Sequence, residues 1–314
     1  MSTEAMRRPG ERMAYFNGQI VPESEVRVPF RDRGFKYGDA AFDMTRTFGH
    51  RIFKLQEHIA RFYNSLKYVQ IDPGMSAQEM VRKTEEVLEA NLSLLGPDDD
   101  YWVGQRVSRG VDLVGSDMWE TAGGPTVIIE CAPLPLRPRA RLYRDGIDVW
   151  VPSVRRTPPE SLSPRAKSHN YLNLIMADLE AKAHDSEAWA ILLDTRGFLT
   201  EGIGSNIFTV KNGVIYTPSQ QYVLGGISRE TAVELAGKID VPVVEKDLDM
   251  FDAFTADEVF LTSTSLCVCG VRSVQGQQIG EGGPHGPITK ALMDAYVDLV
   301  DYDWVGQYLK RLES

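Results

Sequence analysis

Pro164-Arg165-Ala166-Lys167-Ser168-His169-Asn170-Tyr171 sets one lysine, crowded by polar neighbours, at the mouth of an apolar stretch. From Leu172 to Ala183 the residues Leu172, Ile175, Met176, Leu179 and Ala183 recur at helical spacing, which predicts a buried helix with Lys167 in its lead-in. A lysine there can be partly desolvated and kept available as an amine, as Schiff-base chemistry requires. Taken alone, the segment favours an ordinary lysine whose stem lies on apolar surface while its ammonium reaches water. The residues around it have to separate the two.

Upstream, Ala14-Tyr15-Phe16, Asn17-Gly18 and Gln19-Ile20-Val21 read as a hairpin. Arg31-Asp32-Arg33-Gly34 reads as a polar turn, Tyr37 to Phe48 as a strand, and Arg51 to Leu55 as a further short strand. Gln56 to Val69 carries Ile59, Phe62, Leu66 and Val69 at spacings of three to four, an amphipathic helix that also bears His58 and Arg61. A second helix is expected over Ala77 to Leu92, then strands over Tyr101 to Ser108 and Thr126 to Cys131, so this first part is α+β. Ala132 to Arg139, with prolines at 133, 135 and 138, resists both helix and central strand and reads as a linker. Beyond it strands dominate. They are expected over Ile147 to Val154, Ala188 to Leu193, Leu199 to Gly202, Asn206 to Val210, Val214 to Tyr216, Val241 to Glu245, Glu258 to Leu261 and Val268 to Val274. Helices follow Ser228 and Gly286-Pro287.

The chain has 314 residues, enough for about two domains, with 43% hydrophobic and 25% charged residues, as in an ordinary globular protein. Its net charge of −10 and the lack of a Lys/Arg-rich block speak against a nucleic-acid surface. Cys131, Cys267 and Cys269 contain no Cys-x-x-Cys pair, which fits a reducing cytoplasm better than a disulfide framework or a zinc site. No leader-like segment and no 18-residue apolar run is expected to engage a membrane. Hydrolase, kinase, dinucleotide and metalloenzyme motifs are missing, and the five histidines do not fall at metal-ligand spacing.

Several residues could carry chemistry. Leu224-Gly225-Gly226-Ile227-Ser228 leads glycine-rich backbone into a helix start, suited to an anion, or to Ser228 acting as an ordinary N-cap. Thr262-Ser263-Thr264-Ser265 is a hydroxyl-rich loop at a strand end. Arg61 offers a forked donor for phosphate. Glu201 stands in a stretch otherwise fit for burial, where a carboxylate needs a cationic partner such as a protonated pyridine nitrogen; the alternative is a turn glutamate in water.

In order, Asp32-Arg33-Gly34-Phe35-Lys36-Tyr37-Gly38-Asp39-Ala40-Ala41-Phe42, Glu57-His58-Ile59-Ala60-Arg61-Phe62, Lys167 to Asn173, Leu199 to Phe208, Leu224 to Arg229 and Phe260 to Thr264 resemble the class IV aminotransferases. These are the pyridoxal-phosphate enzymes of fold type IV, including branched-chain, D-amino-acid and (R)-amine transaminases. The resemblance implies a two-domain α+β fold of the D-amino-acid aminotransferase type. A small N-terminal domain would span 1–131, a linker 132–139, and a larger mixed-sheet pseudo-barrel domain 140–314. It further implies pyridoxal 5′-phosphate as cofactor, Lys167 as the Schiff-base and proton-shuttling lysine, and Glu201 on the pyridine nitrogen. Arg61, Ile227, Ser228 and Thr264 would hold the phosphate, Leu224 would pack on the ring, and Tyr171 would approach its phenolic oxygen.

Tyr37, Phe42, Tyr101, Val103, Thr264 and Ser265 match substrate positions, implying a hydrophobic donor. Where branched-chain enzymes commonly carry an arginine two residues after the strand tyrosine, this sequence has Val103, with Arg106 one step out of phase. Val271 to Val274 and Ile279 to Lys290 look like the last part of the branched-chain enzymes, so donor type stays split between branched-chain amino acids and (R)-amines. D-amino-acid transamination and an aminodeoxychorismate-lyase-like elimination are the alternatives. A homodimer is implied by the resemblance alone.

Overall fold

The computed structural model describes residues 10–117, 120–281 and 283–313; most of the polar start, Met1 to Arg12, lies outside them. The chain divides into two compact units. One runs to Leu134 and takes in Ala166–Asn170; the other holds Pro135–Arg165 and everything from Tyr171 onward.

The first unit contains β1 (Met13–Phe16), β2 (Gln19–Pro22), α1 (Arg33–Tyr37), β3 (Ala40–Phe48), β4 (Arg51–Ile52), α2 (Leu55–Tyr68), α3 (Ala77–Asn91), β5 (Tyr101–Ser108) and β6 (Thr126–Pro133). The strands form one sheet in the order β2-β1-β6-β5-β3-β4. Asn17 and Gly18, both at positive φ, close the expected hairpin. Where a polar turn is expected at Arg31 to Gly34, Asp32 accepts from the Gly34 amide and starts the short helix α1, which Gly38 ends in the left-handed region. The strand therefore begins at Ala40, not Tyr37.

Register decides which side chains share a side of this sheet, because directly opposed residues point the same way. Ala41 and Asp43 lie with Gln105, Val107, Val127 and Ile129, and Thr45 with Val103 and Cys131. That side packs under α2 and α3, against Ile59, Phe62, Leu66, Met80 and Val87. Phe42 and Met44 point to the other side with Gly104, Arg106, Ile128 and Glu130.

The second unit contains α4 (Leu136–Asp145), β7 (Ile147–Trp150), α5 (Leu172–His184), β8 (Trp189–Leu193), β9 (Leu199–Gly202), β10 (Asn206–Lys211), β11 (Val214–Thr217), α6 (Ile227–Lys238), β12 (Val243–Glu245), α7 (Met250–Phe254), β13 (Glu258–Ser263), β14 (Cys267–Val274), β15 (Gln277–Gln278), α8 (Pro287–Val300) and α9 (Trp304–Leu309). Its sheet runs β12-β11-β10-β13-β14-β7-β8-β9, and β9 pairs again with β10 through Glu201 and Asn206. That last pairing closes β10, β13, β14, β7, β8 and β9 into the expected mixed-sheet pseudo-barrel, with β7 parallel to both β8 and β14.

Three expectations need correction. The division between units at Leu134 and Pro135 falls inside the expected 132–139 linker, but that stretch is not irregular: it is the end of β6 and the first turn of α4, where Pro138 stands early enough in the helix to be tolerated. Residues 166–170 are grouped with the first unit, not the second. In α5 the buried stripe is Leu174, Ala177 and Ala181, packed with Ala188, Ala190 and Leu192, while Leu172, Ile175, Met176 and Leu179 are exposed. Two apolar stripes compete on that helix, and the one with alanines lets it lie close to β8.

Candidate active site

In the first unit, residues 166–170 lie along the start of β3. The Phe42 amide donates to the Lys167 carbonyl at 2.9 Å, the His169 amide donates to the Ala40 carbonyl at 2.9 Å, and Ser168 bridges Ala41. The Lys167 amide donates to Ser65 Oγ at 3.0 Å, which ties the lysine to α2 as well. With its backbone held on two sides, Lys167 places Nζ 4.5 Å from the centre of the Phe42 ring. His169 meets the same ring edge-on at 5.4 Å. Burial, with the Arg106 charge adding to it, pushes the His169 imidazole down to about 4, so the ring is neutral near pH 7.

Behind Phe42, on the helix-covered side, Asp43 is fully buried. It accepts from Arg61 Nε at 2.8 Å and Arg61 Nη2 at 2.7 Å, and lies 2.7 Å from His58 Nδ1. Burial alone would raise this carboxyl. The Arg61 charge and the His58 hydrogen bond outweigh it and hold Asp43 well below the usual carboxylate range. His58 is lowered by burial, assisted by the Arg61 and Lys167 charges against the pull of Asp43. An ionised carboxylate has no proton to give, so His58 carries its own on Nδ1 and donates it to Asp43. His58 and Arg61 are three residues apart on α2 and share one helix face, which is why a single carboxylate reaches both.

The second unit holds the remaining candidates. Glu201 is 5% exposed at the strand pairing that closes the barrel. Its Oε1 accepts from Arg156 Nε at 2.9 Å and its Oε2 from the Leu224 amide at 2.8 Å. Asn206 Nδ2 donates to the Leu224 carbonyl at 3.0 Å, so the segment entering α6 is anchored at both ends of one residue. Gly226 is required there, since a Cβ would sit 2.2 Å from Asn206 Oδ1. Gly226, not Ser228, is the N-cap of α6 and supplies no side-chain cap, which leaves the amides of Ile227 and Ser228 in the first turn to meet an anion. Thr264 and Ser265 lie in the turn between β13 and β14, and Arg139 donates to Ser265 Oγ. Tyr171 is the N-cap residue of α5 and packs on its buried stripe.

The structure thus groups Lys167 and Phe42 beside Arg61 and its partners in one unit, and Glu201 and Leu224 with Ile227 and Ser228 in the other. Two expected pocket residues are placed elsewhere. Tyr101 and Val103 are fully buried in the core under α2 and α3, with Tyr101 Oη donating to the Asn91 carbonyl at 3.2 Å. The strand's phase puts Gly104 and Arg106 on Phe42's side instead. Tyr37 is half-exposed and lines a cleft of about 730 Å³ with Arg33, Asp39, Gln70, Arg109 and Asn170. Sequence reasoning missed Asp43, Arg156 and Asn206. Asp43 could have been found by the argument used for Glu201, an acid in a strand otherwise fit for burial; Arg156 is 45 residues from its partner, and no local signal links them.

The profile of the family described as "Amino-transferase class IV" matches residues 40–274. A Methanocaldococcus jannaschii protein named, provisionally, as a branched-chain-amino-acid aminotransferase is 38% identical over 286 residues, covering 91% of this chain and 95% of its own. The D-alanine aminotransferase of Bacillus licheniformis is 31% identical, covering 89% and 94%. Among solved structures, the branched-chain amino acid aminotransferase of Thermobaculum terrenum in its PLP-form superposes with a TM-score of 0.80 at 25% identity, covering 96% of this chain and 97% of its own. With a match over three-quarters of its length and a relative at this identity, the chain belongs to the class IV aminotransferases, enzymes that depend on pyridoxal 5′-phosphate.

Proposed function

We propose that the protein moves the amino group between a donor with a hydrophobic side chain, of the branched-chain amino-acid type, and a 2-oxo acid. The donor type is supported by the branched-chain relatives, and the observation that carries the cofactor chemistry is Glu201. It is a buried carboxylate compensated by Arg156 and linked through Leu224 and Asn206 to a helix start with no side-chain cap. Such a pair of features fits a ligand with a basic ring nitrogen at one end and a phosphate at the other.

Pyridoxal 5′-phosphate supplies, when bound, an aldehyde that accepts the amino group and a ring that takes up the electron pair left when the donor's Cα loses its proton. The protein's own residues do the rest. Lys167 Nζ takes that proton and returns it on the other side of the transfer, from a backbone held by Phe42 and Ser65. Glu201 keeps the ring nitrogen protonated, with Arg156 fixing the carboxylate's direction. Arg61, aligned by Asp43, would hold the phosphate, as would the amides of Ile227 and Ser228 and the Thr264 hydroxyl. Leu224 would pack on the ring and Tyr171 would serve its phenolic oxygen, while Phe42 in the first unit and Thr264 and Ser265 in the second would be the residues offered to the donor.

The reading includes a homodimer in the cytoplasm, with no nucleic-acid partner; the three free, buried cysteines agree with a reducing compartment. A donor panel tests it. L-leucine, D-alanine and (R)-1-phenylethylamine are each offered with pyruvate and with 2-oxoglutarate, and turnover is expected with L-leucine. Turnover with the amine alone would replace the amino-acid reading by an (R)-amine one, and turnover with D-alanine alone by a D-amino-acid one. Elimination without transfer would make it a lyase.

A further inference from the structure

On the side of the first unit's sheet that carries Phe42, the register directly opposes Arg106 to Phe42. The Arg106 guanidinium lies 5.2 Å from the centre of the Phe42 ring, and Lys167 Nζ lies 4.5 Å from the same centre. One aromatic ring therefore carries both the amine assigned to the chemistry and a second, permanent cation. Arg106 Nε donates to Glu130 Oε1 at 2.7 Å. No other hydrogen bond of this guanidinium occurs among the described residues, and its side chain is 36% exposed.

The Glu130 contact is a diagonal one, since Glu130 directly opposes Gly104 and Arg106 opposes Ile128. It passes over Gly104, where a Cβ would meet Met44 Cε at 2.8 Å and Glu130 Cγ at 3.5 Å. Gly104 thus leaves the surface between the two strands low. Glu130 holds the Nε edge of the guanidinium, which lies on the sheet face that bears Phe42. A guanidinium held this way is built to take a carboxylate in two parallel hydrogen bonds.

We propose that Arg106 is the substrate-carboxylate recognition residue of this enzyme, steered by Glu130. The inference rests on the reading of Lys167 as the reacting amine.

Calorimetric titration of the cofactor-loaded protein with unreactive ligands tests it. The probes are 4-methylpentanoate, with one carboxylate; glutarate, with two; and 4-methylpentan-1-ol, with none. In Arg106→Gln at least one acid is expected to bind about tenfold more weakly, as for loss of a charge-assisted pair, with the alcohol unchanged. Arg106→Lys should recover part of the loss. Glu130→Gln should tighten the same acid a few-fold, because a competing carboxylate is gone; a purely structural pair would not respond in that direction.

Loss for both acids assigns the carboxylate beside the reacting carbon, and loss for glutarate alone a distal one. Unchanged binding of both acids in Arg106→Gln, equal loss of the alcohol, or failure of the wild type to bind either acid would overturn the proposal. The visible absorbance of the bound cofactor, recorded on the same samples, reports separately whether the underlying reading of Lys167 holds.

Discussion

Asp43 shows how much one carboxylate can organise. Fully buried, it accepts from both Arg61 and His58, so removing its charge leaves a guanidinium and an imidazole donor facing a neutral amide. Breaking a buried pair from one side costs about 3–5 kcal/mol. Asp43→Asn is therefore expected to lower the thermal midpoint by several degrees and to weaken cofactor binding through Arg61. An unshifted melting curve would contradict this role. Sequence reasoning reached Arg61 and Lys167; Asp43 on β3 could be noticed as an acid in a strand fit for burial, but its pairing with α2 could not be read, because it spans 18 positions and depends on β3's register. The same dependence explains Tyr101 and Val103. Their identities were readable, but which side of the sheet they face is set by pairing with β3, and a shift of one residue exchanges the two sides.

At the level of elements, the sequence located α2, α3, α5 and α6 well, but periodicity misassigned the buried side of α5. Its four large apolar residues stand out in the sequence, yet burial goes to the stripe containing Ala177 and Ala181, which allows closer packing on β8. The short helix α7 was missed, although Asp249 and Asp252 form a reciprocal cap that marks its start. The entry to α6 was legible as a glycine-rich helix start, and the structure sharpens why glycine is needed. Gly226→Ala would place a methyl against Asn206, whose side chain also anchors Leu224. Displacing that anchor is expected to raise the dissociation constant for pyridoxal 5′-phosphate about tenfold, roughly 1.4 kcal/mol, in a fluorescence titration of the cofactor-free protein. An unchanged constant would mean that this helix start does not hold the phosphate.

For the molecule as a whole, the motifs in order pointed to the family, and the strand-rich second half to a mixed barrel. The closing contact could not be read from the sequence. Glu201 and Asn206 are near neighbours along the backbone, but only folding shows that their pairing seals the ring of strands and buries the carboxylate. The division into units was also only partly legible, since residues 166–170 leave the second half to lie along β3. That excursion puts Lys167 on Phe42, and the central claim is that its amine performs the transfer. The most direct measurement adds L-leucine, without acceptor, to the cofactor-loaded protein and follows the cofactor's visible absorbance. The wild type should convert to the pyridoxamine form, whereas Lys167→Ala should lack both the lysine-dependent absorbance and turnover. A Lys167→Ala protein that kept both would contradict the account.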